Sequence, residues 1–124
     1  MAATILIVDD SATMLMSIEG VLSKAGLTVV KAASGEEALA KLKSGSKPNL
    51  MITDLNMGAM NGIELIRNTR KVAGMQFMPI LMLTTESQQD KRNDARSAGA
   101  TGWIVKPVDG ATLLKVIGQL VPGK

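Results

Sequence analysis

The sequence predicts an α/β fold: a five-stranded parallel sheet, doubly wound, with strand order 2-1-3-4-5. Three observations lead there. Short apolar runs alternate with segments whose apolar residues recur at helical spacing, five of each along the chain. An apolar run without polar alternation is how a strand covered on both faces reads. Strands that alternate with helices close right-handed crossovers, which set successive strands parallel. Finally, five such units in 124 residues fit the smaller of the two common doubly wound sheets, in which the third strand is central and the second is an edge.

In order, Thr4 to Asp9 is the first strand, with Ile5-Leu6-Ile7-Val8 as its body. Ser11 can cap a helix from about Ala12 to Ala25 carrying Leu15, Ile18 and Leu22, and Gly26 stops it. Leu27 to Lys31 is the second strand, whose Thr and Lys suit an edge. Ser34-Gly-Glu-Glu37 reads as a capping box for a helix with Ala38, Leu39 and Leu42, ended by Gly45. The third strand is Asn49-Leu-Met-Ile-Thr-Asp54. Asn61-Gly-Ile-Glu64 repeats the capping box and opens a helix with Ile63, Ile66 and Val72, stopped at Gly74. Pro79 to Thr84 is the fourth strand, with Pro tolerated at its start. Ser87 caps a fourth helix reaching about Ala98, with only Ala95 and Ala98 as its apolar stripe. Gly102 to Lys106 is the fifth strand, and Asp109 caps a last helix with Leu113, Val116, Ile117 and Leu120.

Composition narrows the chemistry. The length and the absence of linkers point to one domain, residues 1–124. No apolar run approaches the ~20 residues of a membrane span, and the N-terminus lacks the pattern of a secretory signal. A soluble cytoplasmic monomer is the expectation. There is no Cys and no His, so thiolate chemistry and the commonest general base and transition-metal ligand are excluded. The net charge is +3, but the basic residues are scattered and Phe77 and Trp103 are the only aromatics, which argues against nucleic acid.

The informative residues stand at the carboxyl ends of the strands. Asp9-Asp10 ends the first, Asp54 the third, Thr84-Thr85 the fourth and Lys106-Pro107 the fifth. In an open parallel sheet these ends share one edge, where sites form at the switch point. Taken alone, Asp54 is a strand-ending residue that starts a turn. Together, three carboxylates, a hydroxyl and an ammonium converge on one crevice. Clustered carboxylates repel and call for a hard, oxygen-seeking cation, which Mg²⁺ fits. Lys106 can pair with a carboxylate at rest and with a phosphoryl oxygen later. These are the parts needed to move a phosphoryl group onto Asp54.

As a set, Asp9-Asp10, Asp54, Asn56-Met57 with Asn61-Gly62, Thr84 and Trp103-Ile-Val-Lys106-Pro107 closely resemble a response-regulator receiver domain of the single-domain, CheY-type chemotaxis branch. The resemblance covers nearly the whole chain. It implies the flavodoxin-like or CheY-like sheet, and a phosphorylation-dependent switch in a two-component system, not a turnover enzyme. Asp54 would accept the phosphoryl group from a phosphohistidine on a partner histidine kinase. Asp10, Asp54 and the backbone carbonyl of Asn56 would ligate Mg²⁺, with Asp9 acting through water. Thr84 and Lys106 would bind phosphoryl oxygens, and Thr84 and Trp103 would move on activation. Asn56 and Glu86 would tune the lifetime of the phosphoryl group, and the Lys106-Pro107 bond is one that is often cis in the family. With no attached output domain, output would be binding to a protein such as the flagellar motor switch, through the surface of the fourth helix, fifth strand and fifth helix.

Two residues depart from the family pattern: Gly58 stands where Pro is usual, and Trp103 where Tyr or Phe is usual. Gly58 implies a more mobile loop after Asp54. The basic group Lys91-Arg92-Arg96, with Lys115, reads as a solvated face or as a docking face. Met57 and Met60, beside the site, suit an adaptable surface. Three other functions are compatible with parts of the pattern. A phosphate sink would compete for the same kinase. An Asp-nucleophile phosphohydrolase would want a general acid where Asn56 stands. A flavin module would want amides, not Asp9-Asp10, in its phosphate loop.

Overall fold

A computed structural model describes residues 3–85, 89–106 and 108–121. Strands and helices alternate as β1 (Thr4–Val8), α1 (Ala12–Lys24), β2 (Thr28–Ala32), α2 (Gly35–Lys43), β3 (Leu50–Thr53), α3 (Gly62–Arg70), β4 (Ile80–Thr84), α4 (Gln89–Ala98), β5 (Gly102–Val105) and α5 (Gly110–Leu120). The sheet order is β2-β1-β3-β4-β5 and every pairing is parallel, as the sequence predicts. Every residue of β3 and β4 is buried, which is why these strands read as unbroken apolar runs. In β2, Thr28 and Lys31 are exposed, and Lys31 pairs with Glu19 of α1 at 2.9 Å.

Period-two alternation divides the core between the two faces of the sheet. Leu6, Met51, Ile80 and Met82 pack with α2, α3 and α4. Ile5, Ile7, Ile52, Leu81 and Leu83 pack with α1 and α5. The α4 stripe consists of Ala95 and Ala98, as expected. The helix starts are capped where the sequence placed them: Ser11 accepts from the Met14 N–H, Ser34 from the Glu37 N–H and Asp109 from the Thr112 N–H, and Asn61 with Glu64 forms a full capping box. The Thr112 N–H holds the Asp109 carboxyl below its ordinary range.

The boundaries differ in a few places. β2 begins one residue later than expected, since Leu27 is held in the turn by its N–H to the Leu22 carbonyl. Glu37 accepts from the Ala33 N–H instead of closing back on Ser34, so only half of that capping box forms. α3 stops at Arg70 with Lys71 as its cap. Val72 and Gly74 therefore lie beyond it, although Val72 still packs on the core. The Ser87 cap falls outside the described residues.

The early stop of α3 has a physical counterpart in Arg70. Its guanidinium donates to the carbonyls of Met75 at 2.9 Å, Met78 at 2.6 Å and Gly99 at 2.6 Å. One side chain thus ties the turn after α3 to the turn after α4, and burial pulls its pKa below the ordinary value. Thr69, one residue earlier, is fully buried and its Oγ1 has no hydrogen-bond partner. A buried hydroxyl without a partner costs free energy, so Thr69→Val is expected to stabilise the fold by about 1 kcal/mol. A urea unfolding curve checks this, and a lowered midpoint would contradict it.

Candidate functional site

The site is set by strand register. Val8 of β1 is level with Thr53 of β3, Thr53 with Met82 of β4, and Thr84 with Val105 of β5. Asp9, Asp54 and Lys106 each follow the last residue of their strand, and Thr84 is the last residue of β4. The ladder runs on slightly past the strands: the Asp9 N–H donates to Ala32, the Asp54 N–H to Val8 and the Lys106 N–H to Thr84. These bonds join the ends of β2, β1 and β3, and separately those of β4 and β5, along one edge.

There Lys106 Nζ lies 3.3 Å from Asp9 Oδ2 and 3.7 Å from Asp54 Oδ2. Only 14% of the Lys106 side chain and 5% of the Asp9 side chain reach solvent, so these charges are poorly screened. The other oxygen of each carboxylate is held by backbone. Asp9 Oδ1 accepts from the Ser11 N–H at 2.9 Å, and Asp54 Oδ1 accepts from the Leu55 N–H at 2.7 Å. Both carboxylates are therefore oriented with Oδ2 toward the lysine. Asp10 is exposed, yet one oxygen each from Asp9, Asp10 and Asp54 lies within 4.8 Å of the others. Three carboxylates face one ammonium, which leaves an excess of negative charge. An all-oxygen donor set of this kind fits a hard divalent cation such as Mg²⁺ and disfavours softer metals.

Two residues contribute in ways the sequence did not reveal. Ser11 reads as a helix cap, and its side chain does cap α1, but its amide also orients Asp9. Gly62 reads as the first residue of a helix. A Cβ placed there would overlap the backbone carbonyl of Asp54 and meet Met82 at 3.0 Å, and its N–H donates to Leu55 at 2.8 Å. The start of α3 is thus packed against the backbone that carries Asp54. Gly62→Ala is expected to destabilise the fold by about 1–3 kcal/mol through overpacking and to shift the Asp54 carboxyl resonance in NMR spectra. An unshifted resonance would show that the close approach does not position Asp54.

Thr84 is fully buried. Trp103 is partly buried and packs on the core under α2, α3 and α4, level with Met82. Alternation puts Thr84 and Trp103 on that same face of the sheet, whereas Lys106 lines a cavity with Leu83 and Leu113 on the opposite, α1 and α5 side. Asn56 is exposed in the loop after Asp54. Glu86 and Pro107, and with Pro107 the bond that is often cis in the family, fall outside the described residues.

Gly58 adopts φ +70°. Proline is fixed near −65° and cannot take that conformation, so this loop follows a path that the usual family residue could not. Met57 is buried in the core and accepts from Thr53 Oγ1 at 3.7 Å, so it does not form the adaptable surface expected of it. Met60 is only half-buried, and the most exposed described methionine is Met16 on α1. Lys91, Arg96 and Lys115 are exposed and Arg92 half-exposed. Among the described residues no helix is long and apolar enough to cross a membrane.

Comparison with known proteins gives concordant matches. The profile of the response regulator receiver domain matches residues 5–118. PilH of Pseudomonas aeruginosa is 36% identical over 121 residues, which are 98% of this chain and 99% of that protein. Chemotaxis protein CheY-3 of Vibrio cholerae is 37% identical, over 94% of this chain and 89% of that one. Among solved structures, chemotaxis protein CheY4 of Vibrio cholerae superposes with a TM-score of 0.92 at 40% identity, over 97% of this chain and 99% of that chain.

Proposed function

The chain belongs to the response regulator receiver domain family of two-component signalling, and on that basis we propose that it is a phosphoacceptor switch in which Asp54 receives a phosphoryl group from the phosphohistidine of a histidine kinase. The observation that carries this reading is the convergence of Asp9 and Asp54 on Lys106, at 3.3 and 3.7 Å, with Asp54 oriented by the Leu55 amide. A carboxylate oxygen of Asp54 attacks phosphorus, the histidine N–P bond breaks, and the electron pair leaves with the imidazole nitrogen. In the product the Lys106 ammonium pairs with a phosphoryl oxygen, exchanging one anion for another without leaving the crevice.

Asp9, Asp10 and Asp54, with the Asn56 backbone carbonyl, would hold Mg²⁺. When bound, the ion supplies neutralisation of the charge that gathers on the transferred group. Thr84 donates its hydroxyl to the phosphoryl group, and Trp103, on the same sheet face, changes its packing with it. Asn56 and Glu86 set the lifetime of the acyl phosphate. The domain, residues 1–124, catalyses only its own phosphorylation and dephosphorylation, in the cytoplasm, and its output is binding to a downstream protein. The relatives named as chemotaxis proteins support a target in the control of motility, such as the flagellar motor switch.

Incubation with acetyl phosphate and Mg²⁺, followed by peptide mapping at acid pH, tests the reading. One acid-stable, base-labile phosphoryl group on the peptide containing Asp54 is expected, and EDTA should suppress it. Labelling at another residue, or labelling indifferent to EDTA, would overturn the assignment.

A further inference from the structure

A groove of about 890 Å³ runs between α2 and α3, away from the strand-end crevice. Leu42, Met60 and Val72 supply its apolar lining, and Lys43, Lys47 and Lys71 supply its charge, with no carboxylate among the lining residues. None of the three lysines takes part in an ion pair among the described residues. The dipoles of α2 and α3 account for a cation at Lys43, in the last turn of α2, and at Lys71, the cap of α3. They do not account for Lys47, which lies beyond α2, nor for like charges gathered around an apolar trough. Like charges left unpaired around such a trough are complemented by an occupant that brings carboxylates on its flanks and apolar side chains between them.

We propose that this groove docks an amphipathic helix of a partner protein, with its apolar ridge on Leu42, Met60 and Val72 and its acidic flanks against Lys43, Lys47 and Lys71. A helix laid in a groove meets it through residues one turn apart, which suits a trough formed by two helices. The turn after α3 strengthens the assignment. It carries Met75, a lining residue whose carbonyl is held by Arg70, and two residues on Phe77 is 95% exposed. A turn tied by hydrogen bonds to Arg70 and carrying an exposed aromatic is the kind of anchor that protein interfaces use. At the other end, Met60 belongs to the loop that follows Asp54.

Two helical probe peptides test this, one built of Leu and Glu with an apolar face and one with Lys in place of every Glu. Titrated into the ¹⁵N-labelled protein, the acidic peptide should shift the amides of Leu42, Met60 and Val72, and the basic peptide should not. The triple variant K43E/K47E/K71E should lose on the order of tenfold in affinity, as expected for three rim charges, with the fold retained and a melting midpoint lowered only slightly by the reversed charges at two helix ends. Equal binding of both peptides, shifts confined to α4 and α5, or full affinity in the triple variant would overturn the proposal. So would self-association through the same amides in sedimentation experiments, or binding of anionic phospholipid vesicles in place of the acidic peptide.

Discussion

Asp54→Asn is expected to abolish phosphoryl incorporation from acetyl phosphate and to leave the fold intact. The amide is close in shape to the carboxylate. Its oxygen can still accept from the Leu55 N–H, which Asp54 Oδ1 does at 2.7 Å. Lys106 keeps its nearer partner, Asp9, at 3.3 Å. What disappears is the anionic oxygen that attacks phosphorus, and a neutral amide is no substitute. Losing one of three mutually repelling carboxylates also relieves charge crowding, so stability should change by no more than about 1 kcal/mol. Mg²⁺ should still bind through Asp9 and Asp10, at lower affinity. Intact-mass measurement after incubation reads the first effect and urea unfolding the second. Undiminished labelling would move the acceptor to another carboxylate, with Asp9 and Asp10 the other members of the cluster among the described residues.

The parallel sheet was legible because its signal is redundant. Four strands end in residues that would be costly to bury, and capped helices follow three of those ends, at Ser11, Asn61 and Asp109. Asp54 was readable for this reason: the run Leu50-Met-Ile-Thr53 must emerge at its first charge. The electrostatic frame was readable in kind, since Lys106 was expected to pair with a carboxylate at rest. Its finer construction was not. That the Ser11 and Leu55 amides turn each Oδ2 toward one lysine depends on loop geometry, which no spacing rule encodes. Gly62 was part of the resemblance, but its role was hidden for another reason. Its lack of a side chain matters to a backbone atom of a different segment, and one sequence carries no trace of that contact. Gly58 was read as a source of mobility because it stands where the family has Pro. Its φ of +70° is a left-handed conformation that proline could not adopt. The end of α3 was misjudged because Val72 keeps helical spacing, whereas the Arg70 guanidinium gathers the carbonyls of the following turns and closes the helix there.

Lys106→Ala should give a protein whose stability depends on Mg²⁺ far more than the parent's does. Asp9 is nearly inaccessible, and its Oδ2 would lose the cation 3.3 Å away. Removing one partner of a buried ion pair costs about 3 kcal/mol or more, because the remaining charge stays desolvated. A divalent ion bound at the same oxygens restores the missing positive charge. The variant should therefore unfold well before the parent in EDTA and approach it as Mg²⁺ is raised, since a ligand that binds only the folded state stabilises it by mass action. Mg²⁺ affinity should rise by at least about tenfold, because a cation close to the same carboxylates no longer opposes it. The activated state should nonetheless be lost, with Trp103 emission unresponsive to the phosphodonor. Calorimetric titration and melting curves with and without the ion check these points. The stem of Lys106 also packs in the cavity with Met14, Leu83 and Leu113, so Lys106→Met separates charge from packing. It should reproduce the Mg²⁺ dependence in full. Equal destabilisation of the alanine variant with and without Mg²⁺, rescued by methionine, would mean that the lysine holds this edge of the sheet through its hydrocarbon stem and not through its charge.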